Sequence, residues 1–293
     1  ILVLVVIVAG AGLGFVYSKL GKMNVEELDE TAIGLSEETQ ERLSGYRNIA
    51  IFGIDSRADD YGLGNRSDCI IIASLNQDTK DIKLISVYRD TYLQMESNKK
   101  KILDKATHAY SYGGAQNAVK MLNTNLDLNI TEYVTVNFDA VIAAVDAMGG
   151  ITMNIENSEI KYMNDYITAT SKSSGVKSKS ITKAGKQTLD GVQAVAYSRI
   201  RYTAGGDYKR TERMRDVIEA MLTKAKTLSI GKLNNLVDTI LPRVSTNITA
   251  TEILALAPSI ASFNITESIG WPYETRGTPT GTYYGVPVTL ESN

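Results

Sequence analysis

The sequence predicts a mixed α/β fold: a central sheet of mixed strand direction covered by helices on both faces, an α-β-α layering, preceded by a transmembrane helix. Three observations carry this. Short β-branched runs alternate with segments whose apolar residues recur at helical spacing. Glycine pairs and polar clusters separate those elements. An uncharged apolar run opens the chain.

Taken in order, residues 1–17, ILVLVVIVAGAGLGFVY, carry no charge and stop just before Lys19 and Lys22. As a helix this run spans roughly 25 Å, a little short of the ~20 residues a bilayer core requires. The reading is therefore a membrane anchor over 1–18, completed by residues upstream. A cleaved signal peptide is the alternative, weakened by the length of the apolar run and the lack of an obvious small-residue cleavage site. Residues 19–46 are acidic and helix-prone with little sustained apolar periodicity, so they read as an extracytoplasmic spacer. The folded domain is expected over 47–293. NIAIFGI, CIIIASL and DIKLISV read as strands, with a turn at Asn76–Thr79 between the last two. AQNAVKMLNTNL has helical periodicity and YVTVN reads as a strand. In FDAVIAAVDAM, Phe138, Val141, Ile142, Val145 and Met148 recur at helical spacing until Gly149-Gly150 ends the helix. ITMNI is a further strand, and residues 164–186, which include SKSSGVKSKS, read as a mobile loop or flap. NITATEILALA is a helix candidate, ITESIGW a strand candidate, and TRGTPTGTYYGVP a turn-rich closing segment.

Composition excludes several classes of function. The formal net charge is −2, so bulk attraction to nucleic acid is not expected, and any anion site must come from local clusters. The one cysteine, Cys69, excludes an internal disulfide and reads as a core residue; the one histidine, His108, excludes histidine-rich zinc sites and reads as structural. There is no Walker loop, and the pairs Gly113-Gly114 and Gly205-Gly206 lack the spacing of a dinucleotide fingerprint. The sequons at Asn129, Asn247 and Asn264 read as chance occurrences.

Basic side chains nevertheless gather in AVAYSRIRYTAGGDYKRTERMRDV. Met214, Val217, Ile218, Met221, Leu222 and Ala225 form an apolar stripe at helical spacing. Extended one turn back, the stripe takes in Arg210 and Arg213, while Arg215 falls on the opposite side with Glu219. A buried guanidinium needs an anion, which is either a substrate phosphate or a local carboxylate such as Asp207 or Glu212; both readings stand. Arg199 and Arg201 would point the same way if their segment were extended, an argument that fails if it is helical. Asp55 and Arg57 follow the strand NIAIFGI, Arg66 and Asp68 directly precede CIIIASL, and Arg89 follows DIKLISV, with Asp90 as a local partner. If those strands are neighbours, the groups converge at one end of the sheet. Two carboxylates there would suit Mg²⁺, which takes oxygen ligands and bridges to phosphate.

The ordered set GIDSR, NRSD, SVYRDT, KATHAYSYGGA, VNFDAVIAAVDAMGGI and LDGVQAVAYSRIRYTAGGDYKRTERMR resembles the LytR-CpsA-Psr family of bacterial cell-wall assembly proteins, over about Asn48 to Leu222. The resemblance implies a phosphotransferase held at the cell membrane by a single span, with its catalytic domain outside. Such an enzyme moves a polyprenyl-pyrophosphate-linked glycopolymer (teichoic acid, capsular or secondary wall polysaccharide) onto a peptidoglycan hydroxyl and releases polyprenyl phosphate. It implies Mg²⁺ at Asp55 and Asp68, with Mn²⁺ as the substitute, and pyrophosphate-binding or catalytic roles for Arg66, Arg89, Arg199, Arg201 and Arg210. Asp207 and Arg213 fall in the motif of the closing helix. The implied partners are the lipid-linked glycan donor, the peptidoglycan acceptor and membrane lipid, with no nucleic acid. Two departures stand out: Met214 where the family usually carries glutamine, and Tyr88 where proline commonly precedes the Arg-Asp pair. Asp207 and Asp68 are the expected proton acceptors. A polyprenyl-diphosphate hydrolase and a noncatalytic regulator that binds lipid precursors are the rival readings.

Overall fold

The computed structural model describes residues 24–56, 60–249, 262–273, 275–277 and 283–285. The expected anchor, Arg57, and most of the expected helix over 247–257 lie outside them. Among the described residues no helix is long and apolar enough to cross a membrane. The chain divides into two compact units, one comprising residues 25–136, 245–248 and 263–293, the other chiefly 137–244.

The first unit is built on a mixed sheet. Its strands are β1 (Asn24–Val25), β2 (Tyr46–Ile54), β3 (Ser67–Asn76), β4 (Asp81–Val87), β7 (Glu132–Val136), β10 (Val244–Thr246) and β11 (Asn264–Trp271), in the order β1-β10-β7-β2-β3-β4-β11. β2 runs antiparallel to β3 and parallel to β7, β3 antiparallel to β4, and β4 parallel to β11. The mixed α/β class is thus as expected. Nearly continuous apolar runs form the central strands because both faces are buried: Ala50 and Phe52 on one, Ile49 and Ile51 on the other. On the Phe52 face packs helix α2 (Ala106–Leu126), through Tyr110, Ala118, Val119, Leu122 and Leu126. α2 bends where Gly113 and Gly114 leave helical geometry, Gly114 at φ 63°. The carbonyl of Ala109 that the bend releases is taken by the Asn117 amide at 2.9 Å. A two-stranded ribbon, β5 (Tyr92–Ser97) with β6 (Lys100–Lys105), leads directly into α2. Near the far end of the chain, β12 (Thr275–Gly277) pairs with β13 (Tyr283–Gly285).

Part of the stretch expected to be spacer belongs to this unit. Helix α1 (Glu37–Arg42) is capped by the Ser36 hydroxyl, Ile33 is fully buried among core residues, and the Arg42 guanidinium meets the Asp127 carboxylate. Four isolated apolar residues, Leu28, Ile33, Leu35 and Leu43, anchor it without producing a periodic signal.

The second unit contains α3 (Phe138–Ala147), β8 (Ile151–Ile155), α4 (Asn157–Ser174), β9 (Gly185–Leu189), α5 (Gly191–Ser198), α6 (Gly206–Ala225) and α7 (Ile230–Ile240). ITMNI is a strand as expected, but it pairs with β9 in a separate ribbon. The expected flap over 164–186 is helix to Ser174 and strand from Gly185, with an irregular loop over 175–184 between them. α4 continues to Ser174, closed by a capping box at its start and by Gly175 at φ 73°. Its polar surface hid it: only Glu159, Met163, Ile167 and Thr170 are buried, at helical spacing but half of them polar. Gly191 opens α5 against α3. A Cβ there would lie 2.3 Å from the Ile142 carbonyl oxygen, and its N–H donates to the Asp146 carboxylate at 2.8 Å, so only glycine fits that approach.

Candidate functional site

The sheet of the first unit gathers charge at one end. The pairing Ile54↔Ser67 sets the C-terminus of β2 beside the N-terminus of β3, and Ile71↔Ser86 sets the C-terminus of β4 there too. Asp55, Arg66, Asp68 and Arg89 therefore stand at the same sheet end, which is the convergence the sequence made conditional on strand adjacency. Asp55 and Arg66 are exposed, whereas Asp68 and Arg89 are partly buried. The Arg89 guanidinium binds the Asp68 carboxylate; Asp90, the sequence neighbour, lies 3.8 Å from Nε and instead holds the Lys105 ammonium at 2.9 Å. Asp68, Arg89, Asp90 and Lys105 thus alternate in sign. Lys105 escaped the sequence reading although it opens the motif KATHAY.

The backbone around Arg89 is fixed by the elements it joins. Thr91 donates to the Tyr88 carbonyl at 2.9 Å, closing a turn, and the first N–H groups of α2, from Ala106 and Thr107, donate to the carbonyls of Thr91 and Arg89. The Tyr88 N–H donates to the Trp271 carbonyl at 2.9 Å, extending the β4–β11 ladder. A proline at that position would have no such donor. The departure at Tyr88 therefore has a structural consequence.

The second unit places its basic residues differently. The segment of Arg199 is helix α5, and Arg199 caps it with φ −93° and ψ −9°, so the extended pairing of Arg199 with Arg201 fails. Arg199 lies against the rings of Phe138 and Tyr166, 5.0 and 5.2 Å from their centroids, and donates to the Thr170 hydroxyl at 3.0 Å. Arg201 is exposed, with Nε 3.8 Å from Asp207. Arg210 is buried and meets both Asp207 oxygens, at 3.0 and 3.1 Å. Arg213, also buried, binds Glu159 at 2.8 Å, the Ile200 carbonyl at 3.1 Å and the Thr203 hydroxyl at 2.8 Å. Its donors are taken up inside its own unit, a structural network in place of the substrate phosphate that was its alternative. Glu212, the other local carboxylate expected, pairs with Lys209 instead. Arg215 is buried as well, against the expectation that it faces away, while Met214 and Ile218 of the apolar stripe are only half-buried. The buried arc of α6 is wider than the apolar stripe that marks it. Burial, followed by the charges of Glu212 and Glu219, holds the Asp216 carboxyl above the usual carboxylate range.

A partly exposed cluster adjoins the sheet end of the first unit. The single histidine, His108, holds the Asp104 carboxylate through Nδ1 at 2.9 Å, and the Tyr112 hydroxyl donates to the same oxygen at 2.7 Å. The Lys105 N–H donates to the other oxygen at 2.7 Å. Burial pushes the Asp104 carboxyl up, but the three hydrogen bonds together outweigh it and leave the group below its usual range.

This is a mixed-sheet α/β protein whose sheet end carries Asp55, Asp68, Arg66 and Arg89 together. It belongs to the LytR_cpsA_psr family, whose model matches residues 15–289. The chain is 28% identical over 291 residues to the polyisoprenyl-teichoic acid–peptidoglycan teichoic acid transferase TagT of Bacillus subtilis, covering 95% of this chain and 85% of that protein. It is 33% identical over 251 residues to TagU of Enterococcus faecalis, covering 84% and 75%. Among solved structures it resembles TagT bound to LI-WTA, with a TM-score of 0.68, 26% identity and 89% and 92% of the two chains covered. It also resembles the family protein YwtF (TagT) with bound octaprenyl pyrophosphate lipid, with a TM-score of 0.63, 25% identity and coverage of 89% and 91%.

Asp55 and Asp68, the residues expected to hold Mg²⁺, stand at the same sheet end, with Asp68 engaged by Arg89. Among the described residues no group of three or more His, Cys, Asp or Glu side chains could hold a metal. Mg²⁺ is, however, commonly held by one or two carboxylates with water and substrate phosphate filling the remaining positions.

Proposed function

We propose that this chain is a phosphotransferase that moves a polyprenyl-pyrophosphate-linked wall glycopolymer onto a peptidoglycan hydroxyl and releases polyprenyl phosphate, acting outside the membrane that anchors it. The observation that carries this is the Arg89–Asp68 pair, set beside Asp55 and Arg66 at one sheet end, in a chain whose relatives are named teichoic acid transferases and include one solved with octaprenyl pyrophosphate. In this reading Arg66 and Arg89 grip the diphosphate oxygens, for which a guanidinium fork has matching geometry. Asp55 and Asp68 hold Mg²⁺ or Mn²⁺, which when bound supplies charge neutralisation on the diphosphate. The fixed backbone of residues 88–91 keeps Arg89 in place as charge develops, so positioning and preorganised charge do most of the work. Arg201, exposed on the second unit with its Nε 3.8 Å from Asp207, keeps the phosphate-contacting role that the family resemblance implies, while Arg213 is committed to Glu159, Ile200 and Thr203.

The test is transfer of a lipid-linked teichoic acid precursor to peptidoglycan by the membrane-anchored protein. Arg89→Ala and Arg201→Ala are each expected to reduce transfer. Full activity in both removes the arginine roles. Release of free glycan phosphate in place of a peptidoglycan conjugate would identify the hydrolase instead, and tight precursor binding with no turnover the noncatalytic regulator.

A further inference from the structure

The reaction proposed above needs a group to take the proton of the attacking hydroxyl, and the two carboxylates expected for that task are both engaged by arginines. Asp68 is bound to Arg89, and Asp207 to Arg210 with Arg201 close by. A carboxylate already accepting from a guanidinium has fewer lone pairs open to an incoming hydroxyl. His108 is arranged otherwise. A carboxylate only accepts, so its bond to Nδ1 fixes the tautomer with the proton on Nδ1 and leaves the Nε2 lone pair available as a base. Asp104 is itself pinned by the Tyr112 hydroxyl and the Lys105 N–H, so the imidazole is oriented through a carboxylate that cannot turn. This is the orienting relation found in Ser-His-Asp triads, here without the serine.

The dyad lies on the helix end that is tied to the Arg89 turn. His108 lies in the first turn of α2, next to Thr107, whose N–H binds the Arg89 carbonyl at 2.9 Å. The loop leading to Arg66 is tied to the same helix by the Gly64 N–H donating to the Ser111 carbonyl at 3.1 Å, and the charge of Arg66 acts on the Tyr112 phenol. The charged and titratable groups around the imidazole are therefore Asp104 and Lys105 on β6, Tyr112 on α2, Arg66 on the neighbouring loop, and Asp90 through Lys105. About a quarter of the His108 side chain remains accessible, at 23%.

We propose that His108 is the general base of this site, oriented by Asp104. This rests on the transferase reading. The acceptor O–H bond breaks and its proton goes to Nε2. The acceptor oxygen forms a bond to the phosphorus nearest the glycan, and the bond from that phosphorus to the bridging oxygen breaks, its electron pair leaving with polyprenyl phosphate. The imidazolium then returns its proton to the departing phosphate or to solvent.

Because His108 is the chain's sole histidine, ¹⁵N NMR of the imidazole reports on it alone. The expected results are an Nδ1–H tautomer in the free protein and a shift of the imidazole signals when a short polyprenyl diphosphate is added. In the transfer assay His108→Asn should lower kcat by roughly 10²–10⁴-fold with diphosphate affinity retained, and abolish the acid limb of the pH–rate profile. Asp104→Asn should lower kcat less and move that limb, and added imidazole should restore part of the activity of His108→Gly. Folding of each variant is checked by its thermal transition. A His108→Asn enzyme within about threefold of the wild type, or imidazole signals indifferent to the diphosphate, overturns the proposal. Hydrolysis to polyprenyl phosphate that still depends on His108, without any peptidoglycan conjugate, overturns the acceptor proposed above while supporting His108 as the base.

Discussion

The Arg89–Asp68 pair of the first unit and the Arg213–Glu159 pair of the second use the same chemical groups to opposite ends. Arg213 and Glu159 are 1% and 2% exposed, and the remaining donors of Arg213 are met by Ile200 and Thr203. Arg89 and Asp68 are 18% and 23% exposed and have an exposed arginine and an exposed carboxylate beside them at the sheet end. A closed pair is out of a ligand's reach, and opening it exposes uncompensated charge in the interior. An open pair can trade partners with an incoming phosphate at small cost. Arginine number therefore does not distinguish the two pairs; accessibility does.

The largest effect expected from breaking this contrast is on the closed pair. Glu159→Ala should cost about 3–5 kcal/mol of folding stability by stranding the Arg213 charge, measured by urea unfolding. The apolar double variant Glu159→Leu with Arg213→Met should recover most of it, and if it does not, burial of the pair is not the cause. At the open pair, Arg89→Ala should lower transfer by about 10²–10³-fold, or roughly 3–4 kcal/mol in the barrier, with a far smaller change in the unfolding midpoint. Equal losses of stability in Glu159→Ala and Arg89→Ala would erase the distinction. Gly191→Ala should cost about 1–3 kcal/mol by forcing α5 away from α3, and should leave diphosphate binding by Arg89 unaffected. The smallest effect is at Asp216. Its folded pKa is raised, so the folded state holds the proton more tightly than the unfolded chain and stability falls as pH rises from the usual carboxylate range through the raised value. Asp216→Asn should therefore raise the melting temperature slightly at pH 7, and the gain should vanish in acid. A variant that gains equally at all pH values would contradict this.

Periodicity made the central strands and the helices over Phe138–Ala147 and Gly206–Ala225 legible, because each buries an apolar face with a strong repeat. Strand adjacency then made the grouping of Asp55, Arg66, Asp68 and Arg89 legible at the level of topology. What stayed hidden has a common cause. The partner of Arg213 is 54 positions away on a different helix, so no local spacing announces it. α4 was missed because its buried stripe contains Glu159 and Thr170, and the anchoring of residues 28–43 because its apolar contacts are isolated. The pairing of Arg199 with Arg201 stayed conditional on an extended segment because VQAVAYSRIRY suits strand as well as helix. His108 and Lys105 gain meaning only once the ribbon β5–β6 returns the chain beside Arg89.

The hydrogen bond from Tyr88 to Trp271 joins the turn carrying Arg89 to a strand that lies more than half the chain further on. During synthesis β4 emerges long before β11, so that turn lacks its latch until the late strand arrives. Placement of the Arg89 turn is thereby coupled to completion of the sheet edge, and a polypeptide cut short before residue 264 would carry Arg66 and Arg89 without the strand that latches that turn.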